Sequence, residues 1–237
     1  MCGRFTLATP AKEWAPLFDV PVPPDLEPRF NIAPTQEIAV VRPSRPEPGP
    51  EDAPPVREIR MMSWGLVPHW SPDPDAAPGF INARAETAAE KPAFRDPFRD
   101  RRCLVVADGF YEWRREGRRK QPYWIHPTAG GVLAFAGLWD RWRGPDRPPL
   151  DTCAILTTEA NDRLVDLHDR MPVILRPRDV DRWLDPSIRD RPPLADLFLP
   201  FPTDALTITP VSTRVNHVTY DDPACLDPIE NQEDLFR

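Results

Sequence analysis

Glycine is scarce, at 10 residues in 237, and no glycine-rich segment of the oxyanion-hole kind is present. Turns must therefore be built mostly by proline and aspartate, residues that fix or cap the backbone rather than free it. Cysteine is also sparse. Cys2, Cys103, Cys153 and Cys225 form no CxxC pair and no Cys/His cluster at zinc spacing, which speaks against a disulfide framework or a structural metal. No stretch approaches the ~20 consecutive apolar residues of a membrane span. From Met1 to Lys12 no basic region leads into an apolar one, so no secretory leader is expected and the cytoplasm is the default compartment. An excess of basic residues is lacking too. The net charge of −7 opposes indiscriminate binding to polyanions but leaves room for a local basic cleft.

What is abundant is proline, 34 residues or about 14% against a usual ~5%. Long helices should be few. Hydrophobic residues make up 41%, charged residues 28%, and mean hydropathy is −0.50, the profile of a soluble globular chain able to bury a sizeable core without staples. Apolar or alternating runs predict strands over Glu37 to Arg42, Arg57 to Val67, Arg102 to Trp113, Pro122 to His126, Val132 to Trp142, Thr152 to Thr158, Pro172 to Arg176 and Leu206 to Ser212. Helical patterns are fewer: Pro10 to Phe18, Ala83 to Phe94, Glu159 to Leu167, Arg178 to Leu184 and Pro193 to Leu199. Because strands and helices do not alternate, the expected class is α+β, a single domain over 1–237 with a mainly antiparallel, barrel-like core and peripheral helices. The proline-rich segment from Pro43 to Pro55 reads as an exposed loop and 221–237 as an acidic tail.

Several residues have the makings of chemistry. If Met1 is removed, Cys2 carries a thiol beside an α-amine whose pKa of about 7.7–8.0 leaves part of it free at neutral pH. Such a 1,2-aminothiol condenses with an aldehyde through the amine, then closes a five-membered ring through sulfur; alternatively the thiol attacks an acyl group with the amine as base. Glu112 lies among aromatics in ADGFYEW, where burial would raise its pKa toward proton transfer, although it would equally pair with Arg114, Arg115 or Arg84. His168 sits where a helix is expected to end, as a proton carrier or as a simple cap. Asn82 is either a helix N-cap or an orienting amide. Trp64 and Trp70 offer core packing or a platform for bases, and Arg114, Arg115, Arg118, Arg119 and Lys120 gather in a hairpin turn suited to phosphate or simply to solvent.

In order along the chain, MCGRF, RFNIAPTQ, WGLVPHW, INARAET, ADGFYEW, KQPYWI, FAGLWD, ILTTEAN, HDRMPVIL and PVSTRVN resemble the SOS response-associated peptidase family. The resemblance implies a sensor of abasic sites in single-stranded DNA that loses its initiator Met, by autoproteolysis or by an aminopeptidase, and forms a thiazolidine crosslink through Cys2. It further implies that Glu112 moves protons, that His168 favours the open aldehyde and that Asn82 holds the sugar. Arg4, Arg84 and Arg170 would bind phosphates, and Pro34, Trp64 and Trp70 would shape or stack on the strand. No metal or other cofactor is implied. Strand cleavage as a lyase is a plausible branch, and the expected form is a monomer acting at the nucleoid. Two rivals remain at this point: an amidohydrolase using Cys2 on glutamine, and a non-catalytic module for single strands.

Overall fold

A computed structural model describes residues 2–23, 26–44, 56–75, 79–117, 119–145 and 147–229. Its centre is made of the continuous apolar runs. β6 (Arg102–Ala107) is buried at every position and lies between β3 (Glu37–Ser44) and β9 (Leu133–Gly144), antiparallel to both. A strand covered on both faces needs apolar side chains on both; the exception, Arg102, gives its donors to the carbonyls of Phe98, Trp183 and Asp185. β3 also pairs with β4 (Val56–Trp64), and β9 with β10 (Arg147–Glu159). β4 and β10 then meet in parallel through Ser63 opposite Thr152 and Trp64 opposite Cys153. These five pairings close the ring β4-β3-β6-β9-β10, a barrel whose strands have no free edge along the pairing.

A second, antiparallel sheet packs on it in the order β13 (Leu206–Pro210), β8 (Arg119–Pro127), β7 (Gly109–Glu116), β1 (Phe5–Leu7) and β2 (Arg29–Ile32). Phe5 and Phe110, opposite each other on β1 and β7, reach into the barrel and meet Phe135 edge-on at 6.3 and 5.9 Å. Short strands β11 (Arg170–Pro172) and β12 (Ile174–Leu175) extend the barrel along β10 and β9. Helices are brief and peripheral: α1 (Ala11–Trp14), α2 (Arg95–Asp100) and α3 (Val180–Leu184), with 3-10 turns beside them. Among the described residues no helix is long and apolar enough to cross a membrane. The α+β class with a barrel-like antiparallel core is the class the sequence predicts.

Three expectations are corrected. The helix over Ala83 to Phe94 is absent: Asn82–Arg84 is strand β5, parallel to β10 beyond the end of β4, and turns follow to residue 94. Backbone bonds from Ile155 N to Ile81 O (3.0 Å) and from Ala85 N to Thr157 O (2.9 Å) capture this segment, so pairing overrides the helix preference of its alanines. Residues 159–167 form a turn capped by Asn161 Oδ1 rather than a helix, with Glu159 closing β10. The run Arg102 to Trp113 is two strands in two sheets, broken at Asp108. That buried carboxylate accepts Ala8 N (2.6 Å), Thr9 N (2.7 Å), Thr9 Oγ1 (3.0 Å) and Thr6 Oγ1, tying the start of the chain to the break. Of the proline-rich loop, Pro43 and Ser44 end β3 and 45–55 lie outside the described residues. Of the acidic tail, 221–229 pack against β2 and β13, and 230–237 lie outside the described residues.

Candidate active site

The register of β1 on β7 places the cysteine. Phe5 opposes Phe110 and Thr6 opposes Gly109. Tyr111 N donates to Arg4 O at 3.0 Å, so the next step along the antiparallel pair sets Gly3 level with Glu112, and Cys2 just past it. Gly109 is required for this approach, because a Cβ there would lie 2.1 Å from the Trp124 indole nitrogen.

A second anchor arrives from the other sheet. After β4 the chain leaves the barrel at Gly65, runs out through Trp70 and returns to β10 as β5. The two ends of this excursion are bridged by Leu66 and Phe80. They touch so closely that a Cβ on Gly79, whose φ is +72°, would fall 2.4 Å from Gly65 O. The return delivers Asn82, whose Nδ2 donates to Cys2 O at 2.9 Å. Its Oδ1 is buried and has no hydrogen-bond partner among the described residues. Asn82 thus holds the Cys2 carbonyl and caps no helix.

Around Cys2 the titratable groups are shifted by burial. The Cys2 thiol is fully enclosed, its Sγ 3.7 Å from Arg4 O, and burial followed by the charge of Glu112 pushes its pKa well above the ordinary range. Glu112 is 4% exposed. Burial raises its pKa to about 7, against the pull of the N-terminal ammonium. His168 is lowered by burial and then by that same ammonium, which keeps its imidazole neutral at pH 7. Its Nδ1 faces Arg170 N at 3.0 Å and Asp169 Oδ1 at 2.8 Å. A neutral ring accepts the Arg170 N–H at Nδ1 and carries its proton on Nε2, whereas a protonated ring turns Nδ1–H to Asp169.

Glu112, His168, Gly3 and Arg4 line one cavity of about 470 Å³, shared with Trp113, Arg115, Lys120 and Asn216. Of the residues expected from sequence, Cys2, Asn82, Glu112, His168 and Arg4 are brought together here. The others are placed elsewhere. Trp64 is wholly buried: its Nε1 donates to Ile81 O (2.9 Å) and its ring meets Phe5 at 5.2 Å, so it forms the floor under β1 and has no face free to stack on a strand. Trp70 is 56% exposed on the excursion, and Pro34 is half-buried beside Thr35, whose N–H bonds to Trp64 O. Arg84 is exposed next to Asn82.

Arg170 is committed within the protein. It grips Glu86 through two bonds (2.7 and 2.8 Å) and Thr157 O (2.6 Å). Arg4 likewise bonds Asn31 Oδ1 (2.7 Å) and Val215 O (2.8 Å) and lies 5.9 Å from the Trp113 ring centre. Sequence reasoning did not single out Trp113 or Asn216, although both stand in quoted motifs. Trp113 Nε1 donates to Asn216 Oδ1 at 2.6 Å, which draws the segment after β13 against the cavity. Among the described residues no cluster of three or more His, Cys, Asp or Glu side chains is arranged to hold a metal ion.

If Met1 is lost, Cys2 presents an aminothiol beside a carboxyl of pKa near neutrality and a neutral imidazole, a set equipped for carbonyl condensation, which needs a nucleophile and proton carriers. The chain is 36% identical over 231 residues to the abasic site processing protein YoqW of Bacillus subtilis, covering 96% of this chain and 99% of that one. It is 35% identical to the abasic site processing protein HMCES of Gallus gallus, over 73% of this chain and 58% of that protein. A crystal structure of a protein from Bacteroides thetaiotaomicron superposes with a TM-score of 0.82 at 26% identity, covering 96% of this chain and 100% of the other. The family description "SOS response associated peptidase (SRAP)" matches residues 1–218, which contain every group placed at the cavity. With that match and these relatives, the chain belongs to the SOS response associated peptidase family.

Proposed function

We propose that this protein, once the Met1–Cys2 bond has been hydrolysed, captures abasic sites in single-stranded DNA as a covalent thiazolidine at Cys2. The observation that carries the reading is that Asn82 holds the Cys2 carbonyl while Glu112 and His168 line the cavity that opens beside it at Gly3 and Arg4. The Cys2 amine adds to the C1′ aldehyde of the opened deoxyribose. The carbinolamine loses water to give an imine, and sulfur then adds to the imine carbon. One C–N and one C–S bond form, the C=O bond is broken, and one water leaves.

Each residue has a proton to move. His168, with Nε2–H as its donor, serves the sugar ring oxygen as the hemiacetal opens. Glu112, near half-ionised at pH 7, gives a proton to the departing carbinolamine oxygen and then takes the thiol's proton as sulfur attacks. Asn82 fixes the Cys2 carbonyl, and its vacant Oδ1 is available to a sugar hydroxyl. The imine also acidifies C2′–H, so base removal of that proton with loss of the 3′ phosphate is a competing lyase branch. The protein acts as a monomer, in the cytoplasm and on the nucleoid.

The test incubates wild-type and Cys2→Ala protein with single strands bearing or lacking one abasic site, followed by denaturing gels and intact mass without borohydride. The expected result is an adduct of Met1-free wild type on the abasic strand alone, one water lighter than the sum of the parts. No adduct from verified Met1-free protein overturns the reading, and glutamine hydrolysis in its place would favour an amidohydrolase.

A further inference from the structure

β7 presents different groups on its two faces. Side chains alternate along a strand, so Phe110 and Glu112 point toward the barrel. Tyr111, Trp113 and Arg115 point to the other side, where Tyr111 packs with Val211, Val215 and Cys225. Glu112 and Arg115 nonetheless line the same cavity. This is possible because the ladder between β7 and the start of the chain stops at the Arg4–Tyr111 bond, and among the described residues no backbone bond to that segment covers the β7 edge beyond it. The cavity therefore wraps the edge, with the proton-moving groups on one side and a cationic wall on the other.

That wall has an unusual construction. Arg115 and Lys120 are direct partners across the β7–β8 ladder, and both are exposed. Like charges placed opposite each other destabilise a hairpin, where an opposite pair would support it. Among the described residues neither side chain has a hydrogen-bond or ion-pair partner, in contrast to Arg4 and Arg170, each of which is bonded within the protein. Neighbours hold the pair in place: Asn216 Nδ2 donates to Lys120 O at 3.3 Å, and Arg114 is drawn off to the ring of Tyr123, 5.0 Å away.

We propose that Arg115 and Lys120 are a phosphate clamp, holding a backbone phosphate of the single strand next to the reacting sugar; the proposal rests on the abasic-site reading of the cavity. The phosphate supplies a negative charge to the Arg115–Lys120 pair, and its position on the far face of β7 orients the strand so that the sugar faces Glu112. Recognition at this wall is blind to base identity, as a lesion without a base requires.

The test uses full-length Met1-free protein and a single-stranded oligonucleotide with one tetrahydrofuran abasic analogue, which has no aldehyde and so reads binding apart from chemistry. Binding is measured against salt for wild type, for Arg115→Gln with Lys120→Gln, and for a charge-matched control, Arg143→Gln with Arg178→Gln, which lies away from the cavity. Losing the one phosphate that the pair neutralises makes the salt slope shallower by about 0.7 for the hairpin variant only. Replacing single phosphates by neutral methylphosphonates then identifies the partner: at one position beside the lesion, wild type and hairpin variant become equal. An unchanged slope, an equal change in the control, or additive effects at every methylphosphonate position overturns the clamp. A separate incubation with a true abasic strand keeps the two questions apart, since absence of adduct with the clamp signature intact would remove the chemistry and leave the clamp.

Discussion

Glu112→Gln should make the protein more stable at alkaline pH while removing a group its chemistry uses. The carboxyl titrates near 4.5 in the unfolded chain and about 7 in the fold, because burial disfavours its charge. Between these values the native state binds more protons than the unfolded state, so stability falls as pH rises. Below pH 4.5 both states are protonated and there is no penalty. Above pH 7 both are ionised and the penalty is complete, on the order of 3 kcal/mol from the size of the shift. Glutamine fills the same space without a charge and escapes the penalty. Urea unfolding of both proteins at pH 5, 6, 7, 8 and 9 would show near-equal stability at pH 5 and a growing advantage of the variant that levels off above pH 8. A difference that does not change with pH, or wild type gaining stability between pH 5 and 8, would refute the reasoning that Glu112 is held by burial. The same variant should slow adduct formation and abolish the fall of the rate at pH values where Glu112 would lose its proton.

Asn82→Ala frees the Cys2 carbonyl and should slow adduct formation on the order of 10²-fold, the cost of a misplaced reacting group, read from a gel time course. His168→Ala should lower the rate by about 10²-fold or more on an abasic strand. A substrate presented as an open aldehyde, which needs no ring opening, should lose far less. Asp108→Asn turns one of the two acceptor oxygens that four donors share into an NH2 group and should cost about 2–3 kcal/mol in denaturant unfolding. Gly79→Ala should destabilise the excursion between β4 and β5 by more than about 1 kcal/mol, seen as a lower thermal midpoint, because the new methyl meets Gly65 O.

The parts of the fold written in continuous or alternating apolar sequence were legible, and those made by pairing at a distance were not. β6 and β9 stand out because both of their faces are buried, so their residues are apolar at successive positions. β1, β2 and β5 span only three or four residues and exist because partners far along the chain complete their ladders. The alanines after Asn82 carry a helix preference that those partners override. At the site, the residue types that chemistry demands drew attention to Cys2, Glu112 and His168. Whether an aromatic ring is floor or platform depends on what covers it: Trp64 and Trp70 share one motif, and only the second is open to solvent. The arginines teach the same lesson. Arg170 looks like a phosphate ligand until Glu86 is seen in its grasp, while Arg115 owes its freedom to a lysine across the ladder.

The pairing of β1 with β7 also sets a clock. Cys2 is enclosed by groups that leave the ribosome late: Asn82 is 80 residues downstream, and the strand opposite Phe5 is more than a hundred residues downstream. At a synthesis rate of roughly 5–20 residues per second, the nascent N-terminus waits about 5–20 s before the strand that seats it exists. During that interval the start of the chain is open to the enzymes that trim new polypeptides, and afterwards it is held by Asn82 and the β1–β7 pairing. If Met1 is removed from outside, as the proposed reading allows, that step is tied to translation, and faster synthesis or earlier docking of β1 would narrow the time open to it.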